Sequence, residues 1–345
     1  MKLFESPVSQ NESGVCSFGT RWDHLGRYCA RFQKIRTTQN VMKAKQLYDL
    51  INTESVMEVL DEVRIILNMI SPDFKQGSVE EAFRTIVGLY EGKHQGFKAC
   101  NTDYHDLRHT IETFLAMARL LHGAQLNGEG FTQPQIALGL IAALFHDAGY
   151  IQENHDAEGT GAKYTAHHEQ RSAHLLERFG PEFGLSAEEI AAGRIMILGT
   201  DIRMDHSTLT FPSIQIQLLS QMLTASDLMA QMADRSYLEK LLFLYHEFKE
   251  ADVGGYDSEL DLLKKTLNFY EFVAERLGTI LDKVDKFMTS HFLVRWDISS
   301  NLYQEAIERQ KKYLHQILDM PDSDPRDQLK RSGIVQKVRA KYEKK

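Results

Sequence analysis

The chain has 345 residues, 43% of them apolar and 26% charged, with a formal net charge of −8. That length suffices for one large or two smaller domains with a sizeable core, and the acidic balance excludes a broadly basic nucleic-acid-binding surface. The three cysteines, Cys16, Cys29 and Cys100, are odd in number and form no CxxC pair, which argues for free thiols rather than a disulfide framework or a cysteine zinc site.

In chain order, Met1–Gly14 lacks the apolar core of a signal peptide. The longest apolar run, Ile136–Phe145, is too short to span a bilayer. A cytoplasmic protein without membrane contact is therefore expected. Seven prolines leave room for long helices, and strand signals are weak. Apolar residues recur with helical spacing at Val56, Val59, Leu60, Val63, Ile66, Leu67 and Ile70. They recur again at Ile111, Phe114, Leu115, Ala118 and Leu121, on one face of a second helix. The expected fold is an all-α bundle in three stretches. Residues 1–77 form a helical N-terminal region closed by the breaker-rich Ser71–Ser78. Residues 78–290 carry every motif below. Residues 291–345 form a helical extension with a basic tail, expected to be solvated. No internal repeat is evident, and nothing signals an oligomeric state.

Three polar groups interrupt the apolar pattern. The segment Tyr104-His105-Asp106-Leu107-Arg108-His109 spaces two histidines four residues apart, which predicts one helical face; surface histidines at a helix start are the plainer alternative. The run Ile141–Phe145 predicts a buried helix that ends in His146-Asp147, two groups costly to bury unpaired, with Gly149 as a helix stop. A metal ion resolves that cost by taking imidazole and carboxylate together. Further on, Asp227 sits among Leu218, Leu219, Met222, Leu223 and Leu228; such a carboxylate needs a partner, a cation or an ordinary Arg or Lys. Together these groups give two nitrogen and two oxygen ligands, a set that suits Zn²⁺, Mn²⁺, Fe²⁺ or Ni²⁺ better than Ca²⁺.

This order of His, His-Asp and distant Asp resembles the HD-domain metal-dependent phosphohydrolases. It is similar, more narrowly, to the catalytic domain of class I cyclic-nucleotide phosphodiesterases. The likeness is carried by Tyr104–His109, the His146-Asp147 helix, Glu169-Gln170-Arg171-Ser172, Arg194–His206 and Thr224–Leu228, over about residues 85–275. It implies an HD/phosphodiesterase-like helical bundle. It further implies His109, His146, Asp147 and Asp227 as ligands of divalent ions (Zn, Mn, Mg, Fe or Ni, two of them), with Asp147 bridging. His105 would be the general acid, with Asp106 or another carboxylate fixing its tautomer. Glu169 would support the second ion's water shell, and Thr200 and Asp201 would line the site. The reaction implied is attack of metal-bound hydroxide on a small phosphate ester, a nucleotide-like diester first of all.

Two positions depart from that family. Tyr150 stands where the family has a histidine three residues after the HD aspartate, with His155, His167 and His168 as candidates to replace it. Thr266 falls at the position of the glutamine that reads purines, beside Phe269 and Phe272, which read either as a clamp for a flat group or as plain core aromatics. The competing functions are an HD-type nucleotidase acting on nucleoside monophosphates and a catalytically inactive HD module for sensing or binding.

Overall fold

Ser55 accepts a hydrogen bond from the backbone N–H of Glu58 and so caps the first long helix, α1 (Val56–Ile70), as an N-cap serine does. Its buried face is Val59, Leu60, Val63, Ile66 and Leu67 together with Glu62. The computed structural model describes residues 45–343 apart from 280 and 322. Residues 1–44 of the expected N-terminal region, with Cys16 and Cys29, lie outside the described residues. Gln46–Lys345 forms one compact unit. It is built from α-helices joined by short 3-10 turns, and the only β pairing among the described residues is an isolated bridge between Phe97 and Glu153. The all-α expectation holds.

After α1 come α2 (Gly77–Tyr90), α3 (Leu107–Leu126), α4 (Gln133–Phe145), α5 (His168–Phe179), α6 (Ala187–Leu198) and α7 (Ile214–Ala233). The chain closes with α8 (Tyr237–Glu250), α9 (Glu259–Gly278), α10 (Phe287–Trp296), α11 (Leu302–Leu318) and α12 (Ile334–Tyr342). Helix α3 is the axis: α1, α4, α7 and α10 all pack against it. The sequence pattern predicts one buried face, but every residue from His109 to Ala124 is buried. Tertiary packing on all sides encloses polar residues as well, and several of them find partners there. The Thr110 hydroxyl donates to the Tyr90 hydroxyl at 2.8 Å. Arg119 donates to the Tyr303 hydroxyl at 2.9 Å and lies over the Phe292 and Tyr303 rings. His122 meets His291 of α10, Nδ1 to Nδ1, at 3.0 Å. Helix α10 reaches this depth because position 123 is glycine; a Cβ there would stand 1.8 Å from the Phe287 carbonyl oxygen.

Helix α4 is apolar all round, as its sequence predicts, with Ile136–Phe145 entirely buried. Thr132 and Gln135 close its start with a reciprocal capping box. Among the described residues no helix is long and apolar enough to cross a membrane. The basic tail departs from expectation. It is not a free solvated segment, because α12 buries Ile334, Val335 and Val338 and packs on α8. Three apolar residues at helical spacing outweigh the surrounding charge.

Candidate metal centre

Three helices or their ends deliver the four candidate ligands. His109 is the third residue of α3, His146 and Asp147 follow the last residue of α4, and Asp227 lies on α7. The HD turn is held from the α5 side. Gly149 N–H donates to the Ser172 hydroxyl at 2.8 Å, and Arg171 donates to the carbonyls of Gly149 and Ile151 at 2.7 and 3.0 Å. Gly149 is required here by close approach rather than as a helix stop, since a Cβ would stand 2.0 Å from the His168 carbonyl oxygen. The Glu-x-x-Ser motif thereby acquires a physical role, with Ser172 docking α5 on the turn that presents Asp147.

The side chains converge. His109 Nε2 and His146 Nε2 are 3.2 Å apart. Asp227 Oδ1 stands 3.2 and 3.6 Å from these two nitrogens. Asp147 Oδ2 stands 3.2 and 3.3 Å from the same pair. One ligand atom each from His109, His146 and Asp227 lies within 4.8 Å of the others, a group able to hold a metal ion. A cation with bonds of about 2.0–2.2 Å to imidazole and carboxylate spaces neighbouring ligands by roughly 2.9–3.5 Å; four of the five separations fall in that range and the fifth, 3.6 Å, lies just beyond it. The orientation fits as well. The Nδ1 of His146 is 2.9 Å from the Ala143 carbonyl oxygen, so that nitrogen carries the proton and Nε2 turns its lone pair toward the cluster. Asp147 Oδ2 is buried and accepts no hydrogen bond, an arrangement a cation would satisfy. Asp227 is steered by its own helix: Gln231 Nε2 donates to Asp227 Oδ1 at 3.3 Å and Gln231 Oε1 accepts from the Tyr104 hydroxyl at 2.8 Å.

The electrostatics of the metal-free cluster point the same way. Burial works against a charged His109, but the Asp147 and Asp227 carboxylates prevail and raise it to about 9. His146 is raised well above its ordinary value by the same carboxylates against the same penalty. Burial would push both aspartates up, yet the imidazoles hold Asp147 and Asp227 below the usual carboxylate range. Three buried groups and the half-buried Asp227 thus share opposite charges at close range.

His105 does not share the helix of His109. Asp106 takes the N-cap, accepting from His109 N–H at 2.9 Å, so the helix begins one residue after it and His105 lies in the preceding bend. Aspartate favours that extended capping conformation, and the i, i+4 expectation fails for this reason. Asp106 is therefore a helix cap; the carboxylate on His105 is Glu247 of α8, whose Oε2 lies 2.7 Å from His105 Nδ1. Glu247 is fixed in turn, its Oε1 accepting from the backbone N–H groups of Asp103 and Tyr104 at 2.8 and 2.6 Å. Sequence reading passed over Glu247, although the signal used for Asp227, a carboxylate in an apolar helix, was present in Leu244–Phe248.

Tyr150 stacks against two imidazoles, 4.2 Å from the His105 ring and 4.5 Å from the His168 ring. Of the three later histidines, His155 and His167 are exposed. His168 is half-buried, with Nδ1 2.9 Å from the Thr165 carbonyl oxygen and Nε2 3.4 Å from Asp147 Oδ1. Glu169 is buried beside it; its Oε2 accepts no hydrogen bond, and burial raises its carboxyl above the ordinary value.

His105, His109, Asp147 and Asp227 line one end of a cavity of about 360 Å³, with Tyr150 and Glu169 on its wall. Thr200, Asp201, Thr266 and Phe269 line the same cavity, but three of them are already engaged. The Thr200 hydroxyl donates to the Ile197 carbonyl at 2.7 Å. Asp201 holds the Arg203 guanidinium through both oxygens at 2.9 Å, and the Thr266 hydroxyl donates to the Leu262 carbonyl at 2.8 Å. Leu241, Leu244, Phe248, Tyr256 and Leu262 make the far end largely apolar. Phe269 faces this space, whereas Phe272 is 42% exposed and is not a core aromatic.

No family model and no curated protein matches the sequence. Among solved structures the chain is similar to the phosphodiesterase domain of the RhoPDE fusion protein from the choanoflagellate Salpingoeca rosetta, at 14% identity and a TM-score of 0.44, over 81% of this chain and 95% of that one.

Proposed function

We propose that this protein is a metal-dependent phosphohydrolase that cleaves a small phosphate ester, a phosphodiester with a nucleotide-like apolar or aromatic group first of all. The observation that carries this reading is the meeting of His109, His146 and Asp227, with Asp147 on the same two imidazoles, at the end of a cavity whose wall holds a carboxylate-braced histidine. His109, His146, Asp147 and Asp227 would hold a divalent cation. When bound, such an ion supplies Lewis acidity toward a phosphate oxygen and acidifies a water.

The residues of the chain do the rest. The Glu247 carboxylate accepts the Nδ1 proton of His105, which leaves Nε2 for the cavity. There the doubly protonated imidazole hands its Nε2 proton to the departing ester oxygen as the bond from phosphorus to that oxygen breaks and water oxygen takes its place, and the proton shed by that water restores the imidazole, help worth roughly 10²–10⁴-fold. Tyr150, stacked on the ring, keeps it from rotating away. The apolar far end holds the non-phosphate part of the substrate and fixes its approach. Asp147 Oδ1 and His168 Nε2, with the unbonded Oε2 of Glu169 nearby in the same cavity, are suited to a second ion, and in this reading His168 takes the place that Tyr150 leaves unfilled.

A panel of cyclic nucleotides, nucleoside monophosphates and bis-(p-nitrophenyl) phosphate, run with Mn²⁺, Mg²⁺ and Zn²⁺ in turn, tests the reading. Diester cleavage that disappears on chelation and returns with metal is the expected result. A purified protein that takes up no divalent metal and cleaves nothing would overturn it.

A further inference from the structure

The C-terminal helix α12 touches a near neighbour of each member of the His105–Glu247 pair. At its end the Tyr342 ring lies parallel on the His246 ring, 3.7 Å between centroids and 3° between planes. His246 is the neighbour of Glu247 on α8. The Tyr342 hydroxyl donates to Asp103 Oδ2 at 3.1 Å, and Lys341 Nζ donates to the same oxygen at 2.6 Å. Asp103 lies two residues before His105, and its backbone N–H is one of the two that fix Glu247. One aromatic side chain therefore bridges the loop that bears the acid and the helix that bears its carboxylate.

We infer that Tyr342 is a positioning residue for the general acid: with α12 docked, it holds the Asp103–His105 loop against α8 so that Glu247 stays in line with His105 Nδ1. This rests on the phosphodiesterase reading of the cavity. The buried Ile334, Val335 and Val338 anchor the helix, and a second tie just past Tyr342 strengthens the dock, where Arg326 bridges Glu259 at 3.2 Å and Glu343 at 2.8 Å. Glu259 in turn lies 2.8 Å from His246 Nε2, so the imidazole that Tyr342 covers is held from both ends. An exposed ion pair such as Lys341–Asp103 contributes little alone; stacking on a ring that is itself hydrogen-bonded is the stronger tie.

The test compares Tyr342→Ala and Tyr342→Phe in the full chain on two diesters, one with an alkoxide leaving group that needs a proton and bis-(p-nitrophenyl) phosphate, whose leaving group does not. Tyr342→Ala is expected to lower kcat on the first about tenfold, a part of the roughly 10²–10⁴-fold that general acids supply. KM, bound metal and the rate on the second diester should stay near wild type. Tyr342→Phe keeps the ring and should restore most of the loss. An equal fall on both diesters would mark a general structural effect and overturn the inference, as would no fall on either. A wild-type protein that cleaves neither diester would defeat the phosphodiesterase reading instead. In that case the imidazole N–H resonance of His105 decides the positioning role: it should be sharp in wild type and lost in Tyr342→Ala, and its survival in the variant would overturn the inference.

Discussion

Glu247 Oε2 lies 2.7 Å from His105 Nδ1 across 142 residues of sequence. His105 lines the cavity and Glu247 holds its Nδ1, and neither belongs to the group able to hold a metal ion, so the proposed proton-handling pair and the candidate metal cluster are separable. Glu247→Gln should lower kcat about 10-fold to 100-fold on diesters with poor leaving groups and leave metal content unchanged, as measured by elemental analysis beside steady-state kinetics. His105→Ala should behave the same way. Loss of bound metal in His105→Ala would show that His105 is a ligand rather than an acid.

Removing one ligand should act on the fold as well as on the chemistry. Asp227→Ala leaves His109 and His146 without one of the carboxylates that hold their charge, and it deletes an oxygen from the cluster. The expected outcome is no tight metal binding, no activity, and no rise in Tm on adding Mn²⁺ or Zn²⁺. Wild type should gain about 2.7 kcal/mol of stability at a metal concentration 100 times its Kd.

The direction of the histidine shifts sets a pH signature. His109 is raised from 6.5 to about 9 in the metal-free fold. Its protonated form therefore contributes stability that is fully present below about pH 6.5 and is lost as pH climbs through about 9. Metal binding needs the neutral imidazole and expels that proton. Metal affinity should accordingly rise with pH up to about 9, and calorimetry in buffers of different ionisation enthalpy should register proton release. The metal-free protein should lose Tm over the same interval, and the metal-loaded protein should lose less.

Gly149→Ala places a methyl 2.0 Å from the His168 carbonyl oxygen, against backbone that cannot swing aside. The substitution should cost about 1–3 kcal/mol of stability and displace His168 and Asp147 together. Chemical denaturation measures the first effect and metal affinity the second.

Much of the architecture was readable because its helices obey local rules. The span Val56–Ile70 follows from its apolar spacing and its serine cap, and Ile136–Phe145 follows from continuous apolarity. The convergence of His109, His146 and Asp227 was legible because each stands where an apolar helix makes an isolated polar group conspicuous. Glu247 and Gln231 escaped because their work depends on partners far along the chain or on which helical face turns inward. His168 was one of three candidates that a polar segment could not separate; only the close packing at Gly149 brings it, and not His155 or His167, to Asp147. The tail misled for the opposite reason: its charge is plain in composition, while Ile334, Val335 and Val338 matter only because α8 offers them a surface.

Helix α3 carries two histidines that answer acid in opposite senses. At its start His109 gains affinity for protons from the aspartates, while farther along His122, packed against His291 with Arg295 close enough to repel charge, is pushed down to about 4 by burial and that repulsion. Acidification from about pH 6.5 toward 4 favours the unfolded chain at the second position by up to about 1.4 kcal/mol for each unit crossed. Alkalinity withdraws support at the first. Emptied of metal, the central rod of the molecule is most secure near neutrality, and a bound cation would extend that range on the alkaline side alone.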